Sequence, residues 1–260
     1  MALYDISFAG AGRVAGALCR EMFRSGIRIR QVVSESEADG RSLADECKAE
    51  WSSELSFSVH NHAVIVAVPD HKLRDVLSSI KCPGKCVIAH TAGSYGLEMF
   101  PRTLKRTGVF YPLQTFSKGR AVNFTDLPFF IEASEKDAGK ILNDLALSIG
   151  GKVHYIDNEK RKMVHLAAVF LNNFTNYMLT AGIEITERAG LSPSIFEPLI
   201  RETIVKALEN GPEESQTGPA VRNDLETIEM HLKLLSFSPE LQKLYRGITD
   251  SIFKHYEKRR

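Results

Sequence analysis

Residues 4–9 form a short run of strand type, and Gly10-Ala11-Gly12-Arg13-Val14-Ala15 follows at once. Val14, Leu18 and Met22 then recur at helical spacing through residue 25. A strand that ends in G-x-G-x-x-A and opens directly into a helix fits few architectures. The first glycine suits a tight turn, the second lets the backbone approach a pyrophosphate, and the alanine lets helix and strand pack closely. The following residues repeat the alternation. Strands are expected at 27–33, 57–59, 63–68, 86–89, 109–111, 129–132 and 153–156, and helices at 42–50, 73–80 and 136–149. Residues 63–68 are a continuous apolar run bounded by Asn61 and Pro69, as in a strand buried on both faces of a parallel sheet. The expected fold class is α/β, with a doubly wound parallel Rossmann sheet over residues 1–156.

After Asp157 the pattern becomes helical throughout. Residues 158–189 contain no proline and only Gly182 as an interior glycine, so one helix over 158–190 is expected. Ser192-Pro193 and Ser238-Pro239 are helix starts, and 195–208 and 224–235 have helical spacing. Residues 157–260 are therefore read as an all-α domain for substrate and dimerisation. A long apolar helix with few neighbours needs a partner, and a homodimer is expected. Tyr245 and the last helix are read as packing or dimer contacts, and Lys258-Arg259-Arg260 as a solvated end.

Charge narrows the function classes. Lys plus Arg total 33 and Asp plus Glu total 32, a net charge of +1, which argues against a nucleic-acid partner. Hydrophobic residues make up 43% of the chain, enough for a core without staples. Of Cys19, Cys47, Cys82 and Cys86, only the last two lie close, and a single C-x3-C is weak support for zinc. Free thiols and no metal are expected. The N-terminus shows no signal-peptide pattern. The longest clean apolar run, 63–68, falls short of the ~20 residues of a membrane helix. A cytoplasmic protein without a membrane partner is expected.

The glycine turn assigns cofactor contacts to Gly10, Ala11, Gly12, Arg13 and Val14, whose backbone N–H groups would face phosphates at a helix N-terminus. The second strand ends in Ser34-Glu35-Ser36-Glu37, with Arg41 nearby. Ser34 and Arg41 favour NADP, whereas Glu35 favours NAD, so NADP is the leading cofactor and NAD a possible one. No G-x-x-x-x-G-K-[ST] and no Y-x-x-x-K occurs. A methyltransferase is a distant alternative. Ligands lie beyond the carboxyl ends of the strands, which adds Val68, Pro69, Thr91 and Gly93 for the cofactor and Gln114 for a small-molecule substrate. His90 is either a hydrogen-bond donor to the ligand or a buried histidine tied to backbone.

At about 100° per residue, His165, Asn172 and Asn176 fall within about 40° on the helix, with Asn173 about 80° from His165. Asparagine is a poor helix former, so this polar strip points to a ligand, water or the other domain. His165 is the candidate general acid, its ordinary pKa of ~6.5 suiting that role; the competing reading is capping or packing. Asn173 and Asn176 are grouped with it. Residues 217–224 read as a loop in which Arg222 either clamps a carboxylate or pairs with Asp224. His231 is read as structural.

The stretches FAGAGRVAGAL, AVIVAVPD, HTAGS (90–94), YPLQTFSKG (111–119), HLAAVFLNNFTNYM (165–178) and TGPAVRND (217–224) together resemble a family of Rossmann-like two-domain NADP oxidoreductases. The C-terminal half of that family is a domain of unknown function. The family is similar to pyrroline-5-carboxylate reductase and, more distantly, to 6-phosphogluconate and 3-hydroxyacid dehydrogenases and deazaflavin-dependent NADP reductases. The resemblance implies a 6-phosphogluconate dehydrogenase-like helical half and, by analogy to the reductase, a substrate role for Thr217. Hydroxyacid dehydrogenases carry a lysine and, four residues later, an asparagine on this helix; here Lys160 is followed by Val164 and Lys162 by Leu166. The expected activity is hydride transfer between NADP(H) and a small carbonyl or imine compound in a cleft between the halves. The alternatives are a non-catalytic NAD(P) sensor and a deazaflavin-dependent NADP reductase.

Overall fold

The structure, a computed structural model, describes residues 4–82 and 85–257, so Lys258-Arg259-Arg260 lies outside the described residues. The chain divides into two compact units, Met1–Asn173 and Phe174–Arg260. In the first, β1 (Asp5–Ala9), β2 (Arg28–Val33), β3 (Glu50–Ser52), β4 (Ala63–Val66), β5 (Val87–His90), β6 (Thr107–Pro112), β7 (Pro128–Ala133) and β8 (Lys152–Tyr155) form one sheet. The strand order is β3-β2-β1-β4-β5-β6-β7-β8. Helices α1 (Arg13–Arg24), α2 (Glu37–Glu46), α3 (Asp70–Ser79) and α4 (Lys136–Ser148) connect strands, and α5 (Asn158–Ala168) follows β8. This is the doubly wound Rossmann sheet expected. Alternate residues feed opposite faces, as the two-residue period requires: Ile6, Phe8, Ala63 and Ile65 join one buried cluster, and Ala9, Val64, Val66 and Ile88 the other.

Three departures from the sequence reading have local causes. Helix α2 begins at Glu37, not 42, because Ser36 caps it, its Oγ accepting from Asp39 N–H at 3.3 Å. Gly40 sits inside this helix because a Cβ there would stand 2.0 Å from Ser34 Oγ and 2.3 Å from Trp51 Nε1. The third strand is Glu50–Ser52, and residues 57–59 are not a strand; Ser56 makes only an isolated bridge to Lys81. Finally, β7 runs antiparallel to β6, while all other neighbouring pairs are parallel. A parallel neighbour needs a crossover element, but residues 113–127 form no helix or strand and return the chain at the same end of the sheet.

Helix α5 is tied to the sheet by charge. Arg161 is 0% exposed. Its guanidinium donates to Glu132 on β7 at 2.7 Å, to the Tyr95 carbonyl at 2.7 Å and to Asn158 Oδ1 at 3.0 Å. A buried charge is tolerated only when paired and hydrogen-bonded. Beyond α5 the helix widens into π-type turns, Val169–Phe174, before α6 (Thr175–Arg188). The single regular helix expected over 158–190 is thus interrupted.

In the second unit α6 is followed by α7 (Glu197–Asn210), the one-turn helices α8 (Pro212–Ser215) and α9 (Pro219–Arg222), α10 (Leu225–Leu234) and α11 (Pro239–Glu257). The stretch read as a loop over 217–224 therefore contains a turn of helix, with Pro219 at its first position, where a missing N–H costs nothing. Ala181, Leu235 and Leu241 form a small core. His231 Nδ1 lies 2.8 Å from the Tyr245 hydroxyl. No helix among the described residues is long and apolar enough to cross a membrane.

His90, the last residue of β5, is 0% exposed. Its Nδ1 accepts from Ala92 N–H at 3.2 Å, leaving Nε2 to face the Gly96 carbonyl at 3.3 Å. Burial, first, pushes its pKa down to about 4.

Two outcomes are expected. Unfolded histidine binds a proton at ~6.5, so His90 favours unfolding progressively as the pH drops from there to about 4. That loss amounts to up to about 3 kcal/mol. Urea midpoints at pH 7 and 4.5 should separate less in His90→Gln than in the parent; equal separations would refute this. Arg161→Met should lower stability by about 3–5 kcal/mol by stranding the Glu132 carboxylate, and adding Glu132→Gln should restore part of it. A single-variant loss below about 1 kcal/mol would show that the pair matters little.

Candidate active site

The glycine turn has the geometry its sequence implies. Gly10 has φ +114, and a Cβ on it would stand 2.2 Å from the Ala67 carbonyl oxygen, so no side chain fits. Its N–H donates to the Val33 carbonyl at 2.7 Å, joining the ends of β1 and β2. Ala15 is fully buried against the sheet. Gly12, the N-cap of α1, has no side-chain cap and meets nothing within 4 Å where a Cβ would be. The first turn holds no acidic residue. Backbone donors and the positive end of the helix dipole thus face open space, an arrangement that receives phosphate.

That space is a cavity of about 320 Å³. Gly10, Ala11, Gly12, Ser34, Val68 and Pro69, all expected cofactor residues, line it. Val14 packs beneath, against the core. Ser34 Oγ is engaged on both sides, donating to the Ser36 carbonyl at 2.8 Å and accepting from Trp51 Nε1 at 3.1 Å. Glu35 forms an ion pair with Lys72 of α3, a residue the sequence reading did not single out. Arg41 does not line this cavity. Its guanidinium lies 4.5 Å over the Trp51 ring and its Nε donates to Glu37 at 2.7 Å.

At the carboxyl ends of β5 and β6 a second group forms. The Tyr111 hydroxyl lies 3.2 Å from His165 Nδ1, and the two rings meet edge to face at 5.9 Å. Gly93 closes the group: a Cβ there would come within 2.8 Å of both His165 Nδ1 and Tyr111 Cζ. The HTAGS segment therefore needs glycine because the imidazole and the phenol occupy its side-chain space. Burial, first, and then the Asp70 carboxylate push the Tyr111 pKa up, so the phenol keeps its proton at neutral pH. With Nδ1 engaged by Tyr111, His165 Nε2 has no hydrogen-bond partner among the described residues. Arg161 lies one turn before His165 on α5.

The other expected residues are placed as follows. Thr91 N–H donates to the Val66 carbonyl at 3.1 Å, fixing the loop after β5. Gln114 is exposed, its side chain turned onto Thr115 N–H at 2.8 Å. Asn172, Asn173 and Asn176 are all exposed. The π-type turns at 169–174 rotate less per residue than an α-helix, so the regular angular spacing that aligned these residues with His165 does not carry through. Such π turns often mark functional sites, and no residue pattern announced this one. In the second unit Thr217 and Arg222 are exposed. Arg222 forms no ion pair among the described residues, whereas the Asp224 carboxylate caps α10, accepting from Thr227 N–H at 3.1 Å and Thr227 Oγ1 at 2.8 Å.

Residues 5–93 match the family model described as NADP oxidoreductase coenzyme F420-dependent, and residues 127–252 match a domain of unknown function, DUF2520. No curated protein matches the chain. Among solved structures, a Bacteroides fragilis protein provisionally named an NADP oxidoreductase is 37% identical. The match covers 97% of this chain and 98% of that one, with a TM-score of 0.91. Protein TM1727 of Thermotoga maritima is 25% identical over 98% of this chain and 100% of its own, with a TM-score of 0.71. The Aspergillus terreus reductive aminase, 12% identical over 97% of this chain and 94% of its own, shares the fold with a TM-score of 0.72. The 37% identity to the Bacteroides fragilis protein over nearly the whole length, on a Rossmann unit that opens with a glycine turn, shows that the chain belongs to the NADP oxidoreductase family of that protein.

Proposed function

We propose that this chain transfers a hydride between NADP(H) and a small carbonyl or imine compound. The observation that carries this reading is the Tyr111–His165 pair, 3.2 Å apart beside Gly93 in the same unit as the glycine turn. NADPH, when bound, supplies the hydride; the residues that would hold it are Gly10 to Val14 at the phosphates and the cavity walls at Val68 and Pro69. Reduction of C=O or C=N also needs a proton at the heteroatom. His165 provides it from Nε2, the nitrogen left free by Tyr111. Tyr111, whose phenol stays protonated, orients the imidazole through Nδ1. His90 has both nitrogens engaged internally and serves to shape the loop that carries Thr91 and Gly93. Thr217 and Arg222 are the proposed substrate contacts of the helical unit.

A second reading, hydride exchange between a deazaflavin and NADP, is favoured by the description of the family matched by residues 5–93. Reduction of a deazaflavin also takes up one proton, at a ring nitrogen, so the Tyr111–His165 pair serves either class and label transfer to the substrate separates them.

The helical unit is proposed to pair with a second copy of this chain. Leu199, Ile204, Val205 and Leu208 of α7 are all exposed, Leu208 at 81%. Apolar surface of this kind marks an interface.

Deuteride transfer from 4-deuterated NADPH to a panel of cyclic imines and keto acids tests the chemistry; no label in any product would overturn it. With an active substrate, His165→Ala should lower kcat about 100-fold and leave NADPH affinity unchanged, and an effect under threefold would remove His165 from the mechanism. Sedimentation equilibrium should show a dimer at micromolar concentration that Ile204→Lys/Leu208→Lys converts to monomer. A monomeric parent protein would refute the pairing.

A further inference from the structure

A cavity of about 620 Å³ lies beside the glycine turn, between α1, α2 and the connection at 113–127. It shares Ala11, Gly12 and Asp39 with the cofactor cavity, so the two adjoin at the phosphate end. Its walls carry Arg13, Arg20, Arg24, Lys118 and Arg120 against Glu21 and Asp39. Arg20 is committed to Glu46 at 2.5 Å, and Arg24 to Glu21 at 3.3 Å. Lys118 pairs with Asp39 at 3.2 Å, which draws the connection toward the first turn of α2. Arg13 and Arg120 have no ion-pair partner among the described residues.

The tip of β2 cannot supply charge for a phosphate by itself. It holds Glu35, Glu37 and Asp39 within five residues. Its serine, Ser34, has its hydroxyl engaged, and Arg41 is turned onto Trp51 and Glu37. Lys72 is neutralised by Glu35. A phosphate ester carrying close to two negative charges near this tip needs cations from another element, and arginine is the residue suited to bidentate phosphate recognition. The adjoining cavity offers two uncommitted arginines and a lysine held only by an exposed pair.

Resting on the NADP reading above, we propose that the 2′-phosphate of NADP(H) is held by Arg13, Lys118 and Arg120, so that the connection between β6 and β7 sets cofactor choice. Lys118 exchanges Asp39 for the phosphate, and Arg120 closes from the same turn. The resembling stretch YPLQTFSKG ends at this turn, where Gly119 adopts φ +78.

The test is titration calorimetry of the full chain with NADPH, NADH, 2′,5′-ADP and 5′-AMP. The parent protein should bind NADPH at least about tenfold tighter than NADH, and 2′,5′-ADP tighter than 5′-AMP by a similar factor, since one charge-assisted hydrogen bond is worth about tenfold or more. Lys118→Ala/Arg120→Ala removes only exposed side chains. It should weaken NADPH and 2′,5′-ADP about tenfold or more and change NADH and 5′-AMP less than about threefold. A parent protein with no preference for the 2′-phosphate would overturn the NADP reading, and this site with it. A preference retained in the double variant, an equal loss for all four ligands, or a loss seen only in Arg41→Ala would overturn this site and leave the NADP reading standing.

Discussion

A guanidinium with no access to water governs the geometry of the first unit. Arg161 must be answered by protein groups, and those groups sit on β7, on the loop after β5 and on its own helix: Glu132, the Tyr95 carbonyl and Asn158. Satisfying them fixes both the position and the rotation of α5. One turn later His165 arrives at Tyr111. The pair is costly to bury and would not be chosen for stability alone, since well-packed apolar residues do as well or better. Its value here is registry. The three directional hydrogen bonds of Arg161, to β7, to the loop after β5 and within α5, define one register for the helix.

Glycines set the other tolerances. Gly10, Gly40 and Gly93 each stand where a Cβ would collide with a neighbour, at Ala67, Ser34 and Tyr111 respectively. The first brings β1 and β4 close enough to shape the phosphate end. The second lets α2 press on Ser34 and Trp51. The third lets a histidine and a tyrosine share one niche. These are packing requirements, and only at Gly10 and Gly119 does backbone conformation add a positive φ that matters to the argument.

Much of the fold could be read directly because its determinants are local. A glycine turn between strand and helix is a requirement within six residues, and the buried strand Ala63–Val66 declares itself as an unbroken apolar run. The family resemblance drew on such segments and agrees with the match to the Bacteroides fragilis protein. What could not be read depends on partners far away in sequence. Gly40 looks like a helix breaker until Trp51 is placed against it. Arg161 lies among Glu159, Lys160 and Lys162 and is indistinguishable from a solvated helix face until the sheet brings up Glu132. The antiparallel strand Pro128–Ala133 has the same composition as a parallel one; only the lack of a helix in residues 113–127 sets its direction. The π-type turns have no side-chain signature, and they undo an angular argument that assumed a uniform helix.

The same distinction separates the two halves of the functional reading. Binding phosphate is a task for backbone, and backbone geometry follows from glycine placement, so the glycine turn proposed for the nucleotide is legible in a dozen residues. Moving a proton is a task for side chains that must converge from separate elements. His165 was visible as a histidine on a helix, but a histidine alone has two nitrogens and two tautomers, and nothing in its neighbours in sequence says which nitrogen is committed. Tyr111 decides that by occupying Nδ1. Once it does, Nε2 is the nitrogen left for the proposed proton transfer. The proposed assignment of a proton donor then rests on a contact between residues 54 positions apart, one on β6 and one on α5.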